Sequence, residues 1–192
     1  LLANAQLSAV SLFCLMNGYQ PLGNTYYGYY HAGSYLGGVR EDGKANGDAT
    51  GLALILTGSG PAEFRHNNIM QGITDMVGNA WEWVDGLKTI GGQIFVAERE
   101  RQDESDWVAQ AAFFDGTFGL NSEKTSSGST SGVWGSMSMD PSYVPNQLLQ
   151  QLCIEPVDGA GQLEGMFYYD NSGERVPCRG NAYDASGRGG LA

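Results

Sequence analysis

Glycine constrains this chain more than any other residue. It holds 29 of 192 positions, about twice the ordinary share. The glycines follow no G-X-Y period, so a collagen helix is excluded, and their density disfavours a helical bundle. They point to many turns, short elements and long loops. Apolar residues still make up 42% and aromatics 11%, enough to build a core and to exclude global disorder. The length suits one domain, so residues 1–192 are expected to form a single, loop-rich α+β domain.

Charge narrows the function classes. Ten Lys and Arg stand against 21 Asp and Glu, for a net charge of −11. Binding to a nucleic-acid backbone needs clustered cations, so it is not expected, and acidic lipid surfaces are disfavoured for the same reason. No apolar run approaches the roughly 18 residues of a membrane span, and no membrane insertion is expected. No charged n-region precedes an apolar stretch, so no signal peptide is expected. The chain opens on Leu1 inside a helical pattern and closes on Gly189-Gly190-Leu191-Ala192, as a piece truncated at both ends would. Cys14, Cys153 and Cys178 are odd in number and lack a CxxC spacing. They read as small buried hydrophobes rather than a disulfide scaffold or a zinc site.

Along the chain, Leu7, Val10 and Cys14 mark one helical face that stops at Asn17-Gly18. Residues 19–50 read as loop and include a cluster of Tyr26, Tyr27, Tyr29, Tyr30 and Tyr35, expected to pack under the loops, with oligomer contact as the competing reading. Leu52 to Thr57 and Gln93 to Ala97 read as strands. Glu98 to Asp106 is a charge run read as a solvated loop or a helix start. Ser122 to Ser138 reads as a linker between domains or, as Trp134, Met137 and Met139 argue, a long surface loop that packs back. Pro145 to Leu152 reads as a helix. Met166 to Tyr169, a turn at Asn171-Ser172-Gly173, and Glu174 to Cys178 read as a β-hairpin. His31 and His66 read as ordinary loop residues.

The most distinctive string is Gly72-Ile73-Thr74-Asp75-Met76-Val77-Gly78-Asn79-Ala80-Trp81-Glu82-Trp83. Strand spacing puts Trp81 and Trp83 on one face, expected to be core, and Glu82 on the other. Two readings of Glu82 stay open. Its carboxylate accepts backbone N–H bonds and fixes the Gly78-Asn79 turn, or it joins carbonyls of Val77, Gly78 and Ala80 in an all-oxygen shell of the kind Ca²⁺ accepts.

This segment resembles the Gly-Asn-Val-Trp-Glu-Trp signature of the formylglycine-generating-enzyme family, a branch of the C-type-lectin fold, with Ala80 as the departure. Gly173-Glu174-Arg175-Val176-Pro177-Cys178-Arg179-Gly180 is similar to the closing Arg-Gly-Gly element of that family, which gives Arg179 and Gly180 structural roles. The enzymes of the family use a copper-binding Cys pair just after this element; residues 181–192 contain no Cys, and Cys178 lies before Arg179. The His set of the related sulfoxide synthases is also missing, since the chain has two His. The resemblance therefore implies the fold without the catalysis. Among C-type lectins that read sugars through Ca²⁺, Glu155-Pro156-Val157 is the nearest string, and Val157 lacks the needed oxygen.

A closer resemblance is to the variable proteins of diversity-generating retroelements, many of them phage receptor-binding proteins. Asn17-Gly18-Tyr19-Gln20-Pro21-Leu22-Gly23-Asn24-Thr25, Leu56-Thr57-Gly58-Ser59-Gly60-Pro61 and Gly86-Leu87-Lys88 carry it. It implies that residues 181–192 begin a variable, ligand-facing segment in which Ala182, Tyr183, Asp184, Ala185, Ser186 and Arg188 meet the ligand. The implied function is non-catalytic binding of a protein or glycan receptor, at a phage tail tip or a bacterial cell surface. No cofactor is expected beyond the candidate structural Ca²⁺, and homo-oligomerisation is left open. An oxidase of the formylglycine-generating type, or a degenerate relative, is the alternative; a structural virion protein is the third reading.

Overall fold

The computed structural model describes residues 1–99, 102–157 and 163–191. In chain order the elements are β1 (Leu2–Ala3), α1 (Asn4–Met16), β2 (Tyr29–Tyr30), β3 (Gly33–Gly37), β4 (Glu82–Asp85), β5 (Leu87–Ile90), β6 (Gln93–Val96) and β7 (Val108–Phe114). Then follow β8 (Gly119–Asn121), β9 (Ser129–Val133), β10 (Ser138–Met139), α2 (Gln147–Gln151), β11 (Met166–Asp170), β12 (Glu174–Arg175) and β13 (Cys178–Arg179). Strands outnumber helices, most are short, and the architecture is α+β. The chain divides into two compact units: Leu1–Ala9, Trp83–Gln162 and Phe167–Pro177 form one, and Val10–Glu82, Leu163–Met166 and Cys178–Ala192 the other. Among the described residues, no helix is long and apolar enough to cross a membrane.

The first unit is built on a six-stranded sheet in the order β10-β8-β7-β6-β5-β12. Its tightest turn joins β5 to β6 through Gly91 and Gly92, at φ +57° and +88°, a conformation that favours glycine in a two-residue hairpin. A Cβ on Gly92 would also stand 2.9 Å from the Phe114 carbonyl oxygen. The sheet carries Leu87, Ile94, Val96, Ala112, Phe114 and Leu120 into one apolar cluster with Leu149, Leu152 and Ile154. Tyr169 stacks on Phe114 at 4.2 Å, and its hydroxyl accepts the Gly119 N–H. Trp134 is fully buried and Met137 nearly so, so the Ser-rich stretch does fold back, although it contains strand β9 rather than loop alone.

Helix α2 follows its local signals. Asn146 caps it, its side chain accepting the N–H groups of Leu148 and Leu149, two of the donors a helix start leaves free. Glu155, after the helix, is fully buried. Its carboxylate accepts from the Tyr143 hydroxyl at 2.8 Å, the Asn146 N–H at 2.8 Å and Gln150 Nε2 at 2.7 Å. Glu155 is thus an internal anchor for both ends of α2. In the charge run, Glu104 and the β12 residue Glu174 both accept from the Lys88 ammonium; Glu100 and Arg101 lie outside the described residues.

Several expectations are corrected. The turn at 171–173 is present, yet β11 pairs with β9 and β12 pairs with β5, so the two do not form a hairpin. The cause is Asn171, almost wholly buried, whose side chain accepts from Gly128 N and donates to the carbonyls of Phe114 and Ser126. It docks the turn and sends its flanking strands to different partners. Leu52 to Thr57 is not a strand: it makes one isolated bridge, Ile55 to Arg40. The unexpected strand β3 lies within the stretch read as loop.

Trp81 and Trp83 are also corrected. They are not core: the two residues are 53% and 59% exposed, Glu82 between them is exposed as well, and burial begins at Val84. The expected alternation is absent from residues 81–83, because Trp81 precedes β4 and burial sets in only at its third residue. The order of mutational costs should therefore be reversed. Val84→Ala is expected to lose about 1–3 kcal/mol through its cavity, whereas Trp81→Ala and Trp83→Ala should each change stability by about 0.5 kcal/mol or less, as exposed sites do. Chemical denaturation of the three variants checks this.

Candidate ligand-binding segment

Everything that shapes this site lies in the second unit. One apolar cluster in it joins Leu36, Ile55 and Phe64, with Leu22 and Tyr30 against it, and Cys14, Met76, Val77, Leu163 and Leu191 are buried as well. Buried polar side chains hold its loops. Buried Arg40 pairs with Asp42 and donates to the carbonyls of Ala45, Asp48 and Thr50, so a guanidinium organises the 40–50 loop. Buried Arg65 does the same for the carbonyls of Gly58, Gly60, Pro61 and Met70.

Asn79 sits in left-handed backbone at φ +65°, which asparagine tolerates better than most residues. Its side-chain oxygen accepts from Asn24 Nδ2 at 3.0 Å and from Ile55 N at 2.8 Å, and its Nδ2 donates to Ile55 O at 3.2 Å. Its backbone N–H donates to Asn24 O. Fully enclosed Asn24 in turn donates to Ala53 O and accepts the Gly28 N–H. This interlock fixes the start of the 25–31 loop against the Gly78-Asn79 turn.

That loop holds the C-terminal segment. Tyr27 N donates to Tyr183 O and Ser186 N donates to Thr25 O, both at 2.8 Å. Asn181 Nδ2 closes the segment on Arg188 O at 3.0 Å. The Tyr27 and Tyr183 rings lie 5.9 Å apart, and Tyr27 meets Tyr26 edge-on. The tyrosine cluster is thus partly packed, except Tyr35, which is 87% exposed. Arg179 donates to Leu191 O and Ser11 Oγ; Gly180 is buried at φ +89° and its carbonyl accepts the Gly78 N–H.

Of the expected ligand-facing residues, Asp184, Ser186 and Arg188 are exposed, and Ala182 and Tyr183 are half-buried. Ala185 is corrected: it is buried at 8% exposure, because the turn that closes on it through the Ala185 N to Ala182 O bond points its methyl inward. Ala192 lies outside the described residues. The sequence reading missed Thr25, Tyr27 and His31, which touch the segment. The Asn24-Thr25 string was noted for resemblance only, and no local pattern announces a contact spanning more than 150 residues of chain.

The candidate cation position needs a change of membership. A Cβ on Gly180 would lie 3.4 Å from Ala80 O, 3.5 Å from Met76 O and 4.0 Å from Gly78 O, so these three carbonyls face a common point. Val77 O faces Gly23 instead, 1.7 Å from where its Cβ would be. The Glu82 side chain makes no hydrogen bond or ion pair among the described residues, which removes its reading as the turn's hydrogen-bond anchor. Although Glu82 is exposed as a residue, its carboxyl is pushed above the ordinary range, first by burial and then by the charge of Asp75. The three carbonyls suit a hard cation in kind but fall short of the six oxygens Ca²⁺ prefers, and that of Gly78 already accepts the Ala80 N–H. No group of three or more His, Cys, Asp or Glu is placed to hold a metal among the described residues. Burial raises the Cys178 thiol above its ordinary range, which favours its protonated form.

No family model matches the chain, and no curated protein is matched by it.

Two outcomes follow. Asn79→Ala leaves the Ile55 N–H and the Asn24 amide without their acceptor and should cost about 2–4 kcal/mol, read as a fall in the denaturation midpoint. If the oxygen cluster takes Ca²⁺, chelator should lower the melting temperature of the native protein and leave Glu82→Gln indifferent; equal melting with and without chelator for both would remove the cation.

Proposed function

We propose that this chain is a non-catalytic binding protein that presents residues 182–188 to a protein or glycan receptor, on a C-type-lectin fold of the formylglycine-generating-enzyme type. One observation supports it above the others. The backbone of the segment is tied at Tyr183, Ser186 and Arg188, whereas the side chains of Asp184 and Arg188 are exposed and make no hydrogen bond or ion pair among the described residues. Fixed backbone with unengaged side chains suits recognition, because little ordering is left for the moment of binding. Tyr and Arg are also the residues that most often carry binding energy. The lack of Cys in residues 181–192 supports binding over oxidase chemistry. The proposed setting is a phage tail tip or a bacterial cell surface, with the segment as the hypervariable part.

The test pairs binding with stability. Labelled protein is scored on a panel of bacterial cells, beside thermal melting. Tyr183→Ala and Arg188→Ala should weaken binding by about 1–4 kcal/mol where either is a hot spot; stability should change by about 0.5 kcal/mol or less at exposed Arg188 and by more, without loss of the fold, at Tyr183, whose half-buried ring lies against Tyr27. Loss of fold, or binding equal to that of the parent across every cell type bound, would overturn the assignment.

A further inference from the structure

The 25–31 loop does more than hold the segment, because it brings a ring nitrogen to the surface being presented. His31 is anchored twice on the buried Thr25 hydroxyl: its backbone N–H donates to Thr25 Oγ1 at 3.1 Å, and its Nδ1 lies 3.0 Å from the same oxygen. The hydroxyl has a proton to give and a second lone pair, so this contact fits either ring tautomer; in the one where the hydroxyl donates to Nδ1, the ring proton sits on Nε2. No hydrogen bond to Nε2 occurs among the described residues.

Nε2 faces Gly187. A Cβ on that glycine would stand 3.5 Å from it, with no other heavy atom within 4 Å. Gly187 is exposed, lies between exposed Ser186 and Arg188, and has no left-handed φ. Its backbone thus accepts any side chain. The half-buried His31 ring lies 4.5 Å from that of Tyr30, and Gly187 adds no side chain over Nε2.

We infer that His31 Nε2 is a fixed N–H donor of the ligand surface, which meets an acceptor oxygen of a bound peptide or protein, and that residue 187 decides whether it takes part. The inference rests on the proposed binding role of residues 182–188. It divides the site into exposed, unengaged side chains, Asp184 and Arg188, and a constant donor from a distant loop; Ser186, at φ +53°, and half-buried Tyr183 are more constrained. A side chain longer than alanine at 187 would cover the donor and change specificity without altering any charge in the segment.

Two measurements on the whole chain test it. The first is a long-range ¹H–¹⁵N spectrum of protein labelled in its two histidines, His31 and His66, taken with the rings neutral. His31 should carry its proton on Nε2 in the native protein. Solvent exchange of that proton should be unchanged in Gly187→Ala and at least tenfold slower in Gly187→Leu, with the His66 ring unchanged. A His31 proton on Nδ1, or equal exchange in the native protein and Gly187→Leu, would overturn the inference. The second uses a peptide selected from a displayed random library on the native protein and shown to lose binding to Tyr183→Ala and Arg188→Ala. Loss of one good hydrogen bond is worth about tenfold, so His31→Ala and Gly187→Leu should each weaken that peptide about tenfold, with His31→Gln restoring part of the loss. A peptide that needs Tyr183 and Arg188 but ignores His31→Ala and Gly187→Leu defeats this inference alone. If no selected peptide depends on Tyr183 or Arg188, the binding role fails and this inference with it.

Discussion

The second unit depends on two asparagines. Asn24 and Asn79 are 55 residues apart in the chain, yet their side chains share a hydrogen bond, and between them they engage Ala53, Ile55 and Gly28. Apolar burial is non-directional and does not by itself fix the course of a loop. Buried polar networks that are fully satisfied specify one arrangement where a few apolar contacts would allow several. The same logic recurs at Arg40 and Arg65, each of which spends its guanidinium on loop carbonyls. A glycine-rich chain has many backbone groups outside regular ladders, and these side chains are where those groups find partners.

The candidate site inherits its rigidity from that network. Asn24 sets the 25–31 loop, and that loop then takes the backbone of Tyr183 and Ser186. Glycines make the close approaches that follow. A Cβ on Gly190 would sit 1.9 Å from Glu164 O, and one on Gly189 2.6 Å from Thr25 Cγ2. Substitution at these two positions would force the segment off its seat, while Asp184 and Arg188 face open solvent. Constancy and exchangeability are therefore set residue by residue, by what each Cβ meets.

Much of this could be read from the residues, and the failures have physical causes. Helix α1 and its stop at Asn17-Gly18, the capped helix α2 and strand β6 follow local periodicity and cap chemistry, which act over a few residues. Residues 171–173 carried a true turn signal, but a turn signal does not say which strands will pair, and the buried Asn171 amide decided otherwise. Trp81 and Trp83 show the same limit: strand spacing does not say where burial begins, and here it begins only at Val84. Segment 182–188 was located through resemblance, and Ala185 was misplaced within it because inward and outward turns alternate there without a period. His31 read as an ordinary loop residue, because its nearness to Gly187 spans more than 150 residues of chain.

The central claim is that the frame, and not the presented side chains, holds the segment in place. Amide hydrogen exchange at Tyr27 and Ser186 tests this most directly, since both N–H groups cross between the loop and the segment. It should be measured in the native protein and in a variant carrying Tyr183→Ala, Asp184→Ala, Ser186→Ala and Arg188→Ala together. Both amides should be protected, and to the same extent, in the two proteins. Exchange at the rate of a free peptide in the native protein, or protection lost on removing the four side chains, would contradict it.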